Sequence, residues 1–165
     1  WSMPVVHMRI DNRLIHGQVT VTWASTLDAD HMVVCNDKVA VDPIQKIMLP
    51  AAARGVKTSV LSVADTLKVA ESPEAEQERI FIIAKFPSDA LALLDGGLKP
   101  AEINVGNQAP IPGTEFTMVT RTCAVTKQDA AIYREIAARG YRLTGRMVPS
   151  EPENDFLQVL AKKGF

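Results

Sequence analysis

The residues best suited to chemistry lie together in one short stretch near the start of the chain. The stretch from Arg9 to Gln18 holds one imidazole, two guanidinium groups and one carboxylate. An uncharged histidine is a nucleophile near neutral pH, and a phosphorylated imidazole can pass its phosphoryl group onward. His16 is therefore the predicted nucleophile of a phosphoryl carrier.

The neighbours of His16 match what a phosphorylated imidazole needs. Arg13 offers a planar guanidinium to phosphate oxygens. Gly17 and Gln18 lie where the first N–H groups of a helix are free to bind an anion, and Gly17 leaves room for close approach. Asp11 can hold either Arg13 or the imidazole in place. We predict catalytic roles for His16, Arg13 and Asp11, and phosphate binding by Arg13, Gly17 and Gln18.

Other polar residues carry weaker signals. His7 lies inside a predicted strand and His31 opens another, so both are predicted to be structural. Two polar pairs follow predicted strands and could line the rim of the same site, although helix capping and turn formation explain them equally well. These rim candidates are Asn36, Asp37, Gly106 and Asn107.

The residues alone leave a second function open. The same loop could hold a phosphorylated ligand reversibly, as a non-catalytic phosphate-ligand-binding module, whereas a purely structural domain leaves the loop unexplained. The sequence contains no GxGxxG, GxxxxGK[ST], HExxH or GxSxG pattern, so no cofactor is predicted. Cys35 and Cys123 lie far apart and outside any Cys/His cluster, which predicts buried thiols and no metal site.

Composition narrows the class of protein. The chain has 165 residues, of which 22% are charged, and its formal net charge is −1. These values predict one folded domain and argue against a nucleic-acid binder, which normally carries a basic excess. No apolar stretch is long enough to cross a membrane and no signal peptide is recognisable, so a cytoplasmic protein is expected.

The elements that must position the loop alternate along the chain. We predict strands over residues 5–10, 32–35, 58–61, 79–84, 103–105, 118–125 and 142–148. Helices are predicted from His16 to Leu27, from Pro43 to Gly55, from Ser62 to Ala70, from Pro87 to Gly96, from Asp129 to Arg139 and from Glu153 onward, with a long loop over 106–117. This order predicts an α/β fold, an open doubly wound and mostly parallel sheet with helices on both faces.

The loop sequence also resembles a known active site. The run from Arg9 to Val19 closely resembles the active-site loop of the IIB subunits of mannose/fructose/sorbose-type sugar phosphotransferase systems. Further matches lie at 33–37, 39–40, 42, 103–106, 128–129 and 146–149. The resemblance covers the chain from Val5 to the last helix, so residues 5–165 are predicted to form a single IIB-type domain. Residues 1–4 are predicted to be an N-terminal extension or a cloning remnant.

The resemblance implies a function for each part of the loop. The histidine at position 16 would be phosphorylated by the partner IIA and discharged onto a sugar, making the chain a protein-N(pi)-phosphohistidine–sugar phosphotransferase (EIIB). Arg13 and Asp11 match the family's phosphate-side arginine and aspartate. Membrane-embedded IIC and IID subunits would supply the sugar, so a cytoplasmic protein would meet the inner membrane only through them. Neither metal nor nucleotide is implied, and the oligomeric state stays open.

Two departures from the family pattern bear on the sugar and the partners. The chain has Gly106-Asn107-Gln108 where many members have Gly-Gly-Met, and this, with Asn12 and Thr22-Trp23, resembles the N-acetylgalactosamine-type branch. The chain also has Thr114-Glu115-Phe116 where a basic run is common. The sugar therefore stays open among N-acetylgalactosamine, mannose, fructose, sorbose and other amino sugars.

Overall fold

The structure is a computed structural model that describes residues 4–165. Its strands are β1 (Val5–Asp11), β2 (His31–Cys35), β3 (Lys57–Leu61), β4 (Ile80–Ala84), β5 (Ile103–Asn107), β6 (Thr117–Met118), β7 (Ala124–Val125), β8 (Leu143–Gly145) and β9 (Asn154–Asp155). Its α-helices are α1 (Gly17–Thr26), α2 (Asp37–Ala40), α3 (Pro43–Ala52), α4 (Val63–Glu71), α5 (Pro87–Asp95), α6 (Lys127–Ala138) and α7 (Phe156–Lys162). The predicted N-terminal extension falls largely on residues 1–3, which lie outside the described residues.

Seven strands form the main sheet, in the order β3-β2-β4-β1-β5-β8-β9. Within residues 4–165, only β9 of this sheet runs antiparallel to its neighbour, which confirms the predicted open, mostly parallel, doubly wound sheet. The chain leaves β1 toward β2 on one side, and leaves β4 toward β5 on the other. The carboxyl ends of β1 and β4 therefore flank the point where the winding reverses, the usual ligand position in this architecture.

Helices cover both faces of the sheet, as the alternating pattern predicts. On one face α1 and α3 bury Trp23 and Leu49 against Phe81 and Ile83 of β4. On the other face α4 to α7 pack over a larger core that includes Tyr133. The central strands are buried on both sides and read as continuous apolar runs, the pattern of parallel sheets. No helix in residues 4–165 is long and apolar enough to cross a membrane.

Local signals in the sequence set where several helices begin. The Asp42 side chain accepts hydrogen bonds from the N–H groups of Ile44 and Gln45 at 2.9 and 3.3 Å, with Pro43 in the first helical position. Ser62 caps α4 through the N–H of Asp65. These contacts confirm the predicted helix starts, because a cap satisfies N–H groups that have no partner within the helix.

The predicted strand over residues 118–125 is wrong. The segment instead forms two short strands, β6 and β7, which pair with each other in a separate antiparallel sheet. Residues 119–123 turn the chain between them, with the N–H of Thr122 donating to the Thr120 hydroxyl and that of Val119 to the Cys123 carbonyl. The sequence does not reveal this turn, because residues 119–123 include neither glycine nor proline.

Two boundaries and one short helix also differ from the prediction. The strand predicted over 142–148 ends at Gly145, and the last helix begins at Phe156 rather than at Glu153. The reason is β9, which pairs with β8 before Asp155 caps the helix. The one-turn helix α2 was not predicted, because four residues are too few to show helical periodicity.

Both cysteines are buried, as predicted, and should be unreactive in the folded protein. Burial raises the pKa of the Cys35 thiol to about 12 and also raises the pKa of Cys123. At pH 8 a thiol of pKa about 12 is a thiolate only about one ten-thousandth of the time, and the thiolate is the reactive form. We expect a disulfide reagent to label neither thiol in native protein and both in urea-unfolded protein. Rapid labelling of the native protein would contradict this expectation.

Candidate functional site

The loop that follows β1 has an unusual backbone. Leu14 has a φ of +62°, which side chains other than glycine rarely adopt, and its side chain is buried in the core beneath α1. Gly17 has a φ of +51° and begins α1 directly after His16. Strained backbone of this kind persists only where the surroundings hold it, and it is concentrated at functional sites. The anchored Leu14 fixes the turn that presents His16.

Asp11 is the centre of the hydrogen bonds in this loop. Its Oδ2 lies 3.1 Å from His16 Nε2, and its Oδ1 accepts from the main-chain N–H of Arg13 at 2.9 Å. The carboxylate is 1% exposed, and the imidazole is 13% exposed. Asp11 was predicted to hold either the imidazole or Arg13. In the structure its side chain contacts the His16 imidazole and the main-chain N–H of Arg13, not the Arg13 guanidinium.

The contact with Asp11 fixes the tautomer of His16. An ionised carboxylate only accepts hydrogen bonds, so Nε2 must carry the proton in this pair. Nδ1 of a neutral imidazole then holds the free lone pair, and within residues 4–165 it has no hydrogen-bond partner. Nδ1 is therefore the ring nitrogen with an available lone pair.

Arg9 lies behind Asp11 and is almost fully buried. Its Nε donates to Asp11 Oδ2 at 3.1 Å, and its terminal nitrogens donate to the carbonyl oxygens of Arg146 and Met147 at 3.1 and 3.0 Å. Burial lowers the pKa of Arg9, and the charge of Asp11 opposes that shift. The guanidinium thus ties the loop of His16 to the segment after β8.

Close packing holds the Arg9 guanidinium on two sides. The Trp23 ring lies 5.2 Å from Arg9 Cζ, and a second guanidinium, that of Arg146, also lies 5.2 Å from the ring centre. On another side is Gly106, where a Cβ would stand 2.0 Å from Arg9 Cζ. Gly106, predicted as a rim residue, therefore provides space for Arg9 and is itself buried.

The other two histidines lie within the sheet, where the sequence places them. His7 bonds Asn104 Oδ1 through Nε2 at 3.1 Å and stacks on Trp23, while His31 bonds Ser59 and Glu78. Burial lowers the pKa of each ring, which favours the neutral form. Both have the buried, bonded surroundings of structural residues.

The remaining rim candidates divide into two groups. Asn107 lies at the end of β5, where its carbonyl accepts from the N–H of Asn12 at 3.0 Å, so it adjoins the loop of His16. Asn36 and Asp37 follow β2, two strands from β1. Asn36 caps α2 and bonds Asp89, and Asp37 accepts from the N–H of Val63. No hydrogen bond within residues 4–165 joins this second pair to His16.

The predicted phosphate ligands flank His16 in the sequence and are open to solvent. Arg13, Gly17 and Gln18 are all exposed, and no ion pair within residues 4–165 involves the Arg13 guanidinium. The His16 side chain does not cap α1, so the first N–H groups of the helix are free of a side-chain acceptor. An exposed cation and free helix N–H groups are the elements from which an anion site is built.

The sequence predicts no role for the buried residues that support this loop. Arg9 was counted among the cationic groups without a function, and Trp23, Asn104 and Met147 were not predicted as site residues. One signal was present, because an arginine between buried strand residues requires a partner inside the protein. Within residues 4–165 no cluster of three or more His, Cys, Asp or Glu side chains could hold a metal ion.

Comparisons with known proteins agree with this architecture. The family model described as the PTS system sorbose subfamily IIB component matches residues 5–165. The chain is 32% identical over 164 residues to the sorbose-specific EIIB component of Klebsiella pneumoniae, covering 99% of both chains. It is 34% identical over 160 residues to the N-acetylgalactosamine-specific enzyme IIB component 2 of Escherichia coli K12, covering 94% of this chain and 98% of that protein.

A solved structure supports the same assignment. The crystal structure of the IIBSor domain of the sorbose permease from Klebsiella pneumoniae superposes with a TM-score of 0.91 at 32% identity, covering 98% of both chains. The family match spans the whole described domain, including the loop of His16. The chain therefore belongs to the sorbose-subfamily IIB components of the sugar phosphotransferase system, which are phosphocarrier subunits and sugar phosphotransferases.

Proposed function

We propose that His16 is the phosphorylated residue of this IIB component and that Nδ1 is the atom that carries the phosphoryl group. The observation that supports this proposal most directly is the 3.1 Å contact between His16 Nε2 and the buried Asp11 carboxylate. The contact orients the ring and leaves Nδ1 as the nucleophile. Asp11 is thus the positioning carboxylate, as carboxylates orient catalytic histidines elsewhere.

The proposed reaction has two steps. IIB components work with IIA and membrane IIC subunits, and we propose that phosphorylated IIA is the donor here. Nδ1 attacks the phosphorus of the donor phosphohistidine, a new P–N bond forms, and the donor imidazole leaves with the electron pair of the broken bond. A hydroxyl oxygen of the sugar presented by IIC and IID then attacks the phosphorus. A P–O bond forms, the P–Nδ1 bond breaks with its electron pair left on Nδ1, and the hydroxyl proton passes to the released His16 imidazole.

The surroundings of Nδ1 suit charge stabilisation rather than proton transfer. Arg13 and the N–H groups of Gly17 and Gln18 would bind the phosphoryl oxygens during both steps. We propose that residues 5–165 act as one domain at the cytoplasmic face of the membrane.

For the sugar we propose the N-acetylgalactosamine class, because Asn12 and Gly106-Asn107-Gln108 resemble the residues of that branch of the family. Phosphorylation of mannose or sorbose but not N-acetylgalactosamine, in vesicles carrying the cognate IIC and IID, would contradict that choice.

The proposed function is tested by intact-mass measurement of the protein at mildly alkaline pH. The protein is incubated with phosphoenolpyruvate, the general phosphotransferase components and IIA. We expect a gain of one phosphoryl group that is lost on brief acid treatment, because phosphohistidine is acid-labile. Absence of a covalent gain with several IIA partners would contradict the carrier and favour reversible binding of a phosphorylated ligand.

Replacement of Arg13 should slow the reaction without preventing folding. Arg13→Ala removes one charge-stabilising donor, for which a loss of about 10²-fold in the rate of phosphoryl acceptance is expected. The rate is measured by rapid quench with phosphorylated IIA. Arg142→Ala is a matched control, because Arg142 is also exposed but precedes β8. It therefore lies at the amino ends of the parallel strands, whereas Arg13 follows the carboxyl end of β1. A normal rate in Arg13→Ala would remove Arg13 from the mechanism.

A further inference from the structure

Asn107 has a buried side-chain amide without a hydrogen-bond partner. The residue is 5% exposed, and its Nδ2 has no acceptor within residues 4–165. Leaving a buried donor unpaired costs free energy, so each such group in a folded protein needs an explanation. Asn107 is the last residue of β5, at the edge of the sheet where ligands of this architecture bind.

The unpaired donor is specific to Asn107. Three other side-chain amides in the described chain are also buried, and each donates a hydrogen bond to a protein oxygen at 2.9 to 3.2 Å. These residues are Asn36, Asn104 and Gln108. Asn12, which is only partly buried, bonds the main chain through both of its amide atoms. Burial of an amide at this edge of the sheet therefore does not by itself leave a donor unpaired.

Paired residues of β1 and β5 direct their side chains to the same face of the sheet. Arg9 pairs with Asn104, and Arg9 Nη1 donates to Asn104 Oδ1 at 3.4 Å. Ile10 pairs with Val105, and both side chains lie in the core on the opposite face. Along these two strands the side chains therefore alternate in step.

A bulge at Gly106 brings Asn107 to the face that carries Arg9 and Asp11. The ladder pairs Asp11 with Asn107, so Gly106 is an extra residue in β5. In a bulge two residues of one strand oppose a single residue of its neighbour, and bulges beside active sites re-aim side chains. Asp11 shares its face with Arg9, because its Oδ2 accepts from Arg9 Nε at 3.1 Å. Without the bulge, alternation would direct the Asn107 side chain into the opposite core.

This position places the amide next to the residues that hold His16. Asp11, which neighbours Asn107 across the ladder, contacts His16 Nε2 at 3.1 Å. The Asn107 carbonyl accepts from the N–H of Asn12 at 3.0 Å, which fixes the end of β5 to the loop of His16. The Asp11 oxygens accept from Arg9, from the imidazole and from the loop backbone, and no hydrogen bond joins them to Asn107 Nδ2. A group attached to His16 would thus arrive one strand away from an unpaired donor.

We propose that Asn107 Nδ2 donates a hydrogen bond to the phosphoryl group on His16. The inference rests on the proposed function and adds a phosphoryl-binding residue to it. A phosphoryl oxygen is a charged acceptor that brings no donor of its own, and it therefore suits an unpaired N–H better than a sugar hydroxyl does. The terminal torsion of asparagine is soft, so the amide can turn toward that oxygen. A hydrogen bond that forms only as the phosphoryl group arrives favours transfer rather than partner binding.

The side-chain NH2 resonance of Asn107 tests the proposal in the wild-type protein. The signal is assigned by its absence from the spectrum of Asn107→Ala. After phosphorylation with phosphoenolpyruvate and the phosphotransferase components, we expect one of the two protons to move downfield and to show scalar coupling to phosphorus. The side-chain NH2 resonance of Asn36, which already donates to Asp89, should stay unchanged.

Two asparagine variants provide an independent kinetic test. Asn107→Ala removes the proposed donor, and Asn154→Ala is the matched control, because Asn154 also has an unpaired buried amide atom but lies on β9, two strands beyond β5. Phosphoryl acceptance is measured by rapid quench over a range of concentrations of phosphorylated IIA. For Asn107→Ala we expect kcat to fall at least about tenfold with KM unchanged, because a hydrogen bond to a charged group is lost only during transfer. Asn154→Ala should keep both constants.

Three results would overturn the proposal. The first is an unchanged kcat in Asn107→Ala, or an unchanged Asn107 resonance in protein that intact mass shows to be phosphorylated. The second is normal phosphoryl acceptance with a raised KM for the sugar, which would assign the amide to the sugar. The third is an equal fall of kcat in Asn154→Ala.

Two further controls separate this inference from folding and from the proposed function. Urea unfolding shows whether Asn107→Ala folds, and the wild-type resonance decides the matter if it does not. Failure of the wild-type protein to gain a phosphoryl group would contradict the proposed function instead.

Discussion

His16→Ala is expected to accept no detectable phosphoryl group from IIA. The substitution removes Nδ1, and the other two imidazoles are buried in β1 and β2, beyond the reach of a partner. The measurement is intact-mass analysis after incubation with phosphoenolpyruvate and the phosphotransferase components. The loss should be complete, because no neighbouring nucleophile in the loop can form the same intermediate.

A second histidine variant serves as the control for this result. His31→Gln removes an imidazole that bonds Ser59 and Glu78 far from the loop, and it should be phosphorylated to the wild-type extent. Full labelling of His16→Ala would refute the assignment of the site. A His16→Ala protein that is unlabelled but unfolded would be recognised by its far-UV circular dichroism spectrum, and His16→Gln then supplies the same test with less change in volume.

Gly106→Ala is expected to destabilise the fold and to slow phosphoryl acceptance at the same time. The added Cβ would lie 2.0 Å from Arg9 Cζ and 2.1 and 2.4 Å from its terminal nitrogens. The guanidinium has no free space to move into, because it faces Trp23 and bonds Asp11 and two carbonyls. Overpacking of this kind costs about 1–3 kcal/mol, and the cost is larger where a buried charge loses its partners. Urea unfolding measures the loss of stability.

Gly96→Ala is the matched control for this prediction. A Cβ at Gly96 would come almost as close, 2.3 Å, to another side chain, but that atom is the end of the flexible Leu67 and can rotate away. Gly96 follows α5 at the end of the sheet opposite to His16, so phosphoryl acceptance should be unchanged. Equal stability losses in the two variants would show that the rigidity of Arg9 is not the cause.

The parts of the fold that are local in sequence could be predicted. The strand predicted over residues 5–10, the helix predicted to begin near His16 and the cap predicted at Asp42 each depend on a few adjacent residues, and the structure has all three, with the strand end and the helix start shifted by one residue. The turn at 119–123 was missed because threonine and arginine fit a strand as well as a turn. The boundary of α7 was missed because β9 depends on pairing with β8, which is set by the tertiary fold.

The candidate site shows the same division between local and distant information. The imidazole and carboxylate are five residues apart, so their contact could be anticipated from the motif. Apart from Asp11, the partners of Arg9 lie 95 to 138 residues away in the sequence, at Asn104, Arg146 and Met147. Spacing within one loop carries no information on such contacts. Only the presence of a charge inside a buried strand indicates that a partner must exist.

Arg9 holds the segment after β8 mainly through main-chain atoms of that segment. Arg9 and Trp23 both reach main-chain oxygens there, with Trp23 Nε1 donating to the Met147 carbonyl at 2.8 Å. Every residue has a main-chain carbonyl oxygen, whatever its side chain. The backbone of residues 146–147 therefore helps to position Arg9 and, through it, the Asp11 carboxylate that contacts His16, together with the Met147 sulfur at 3.6 Å from Arg9 Nη2.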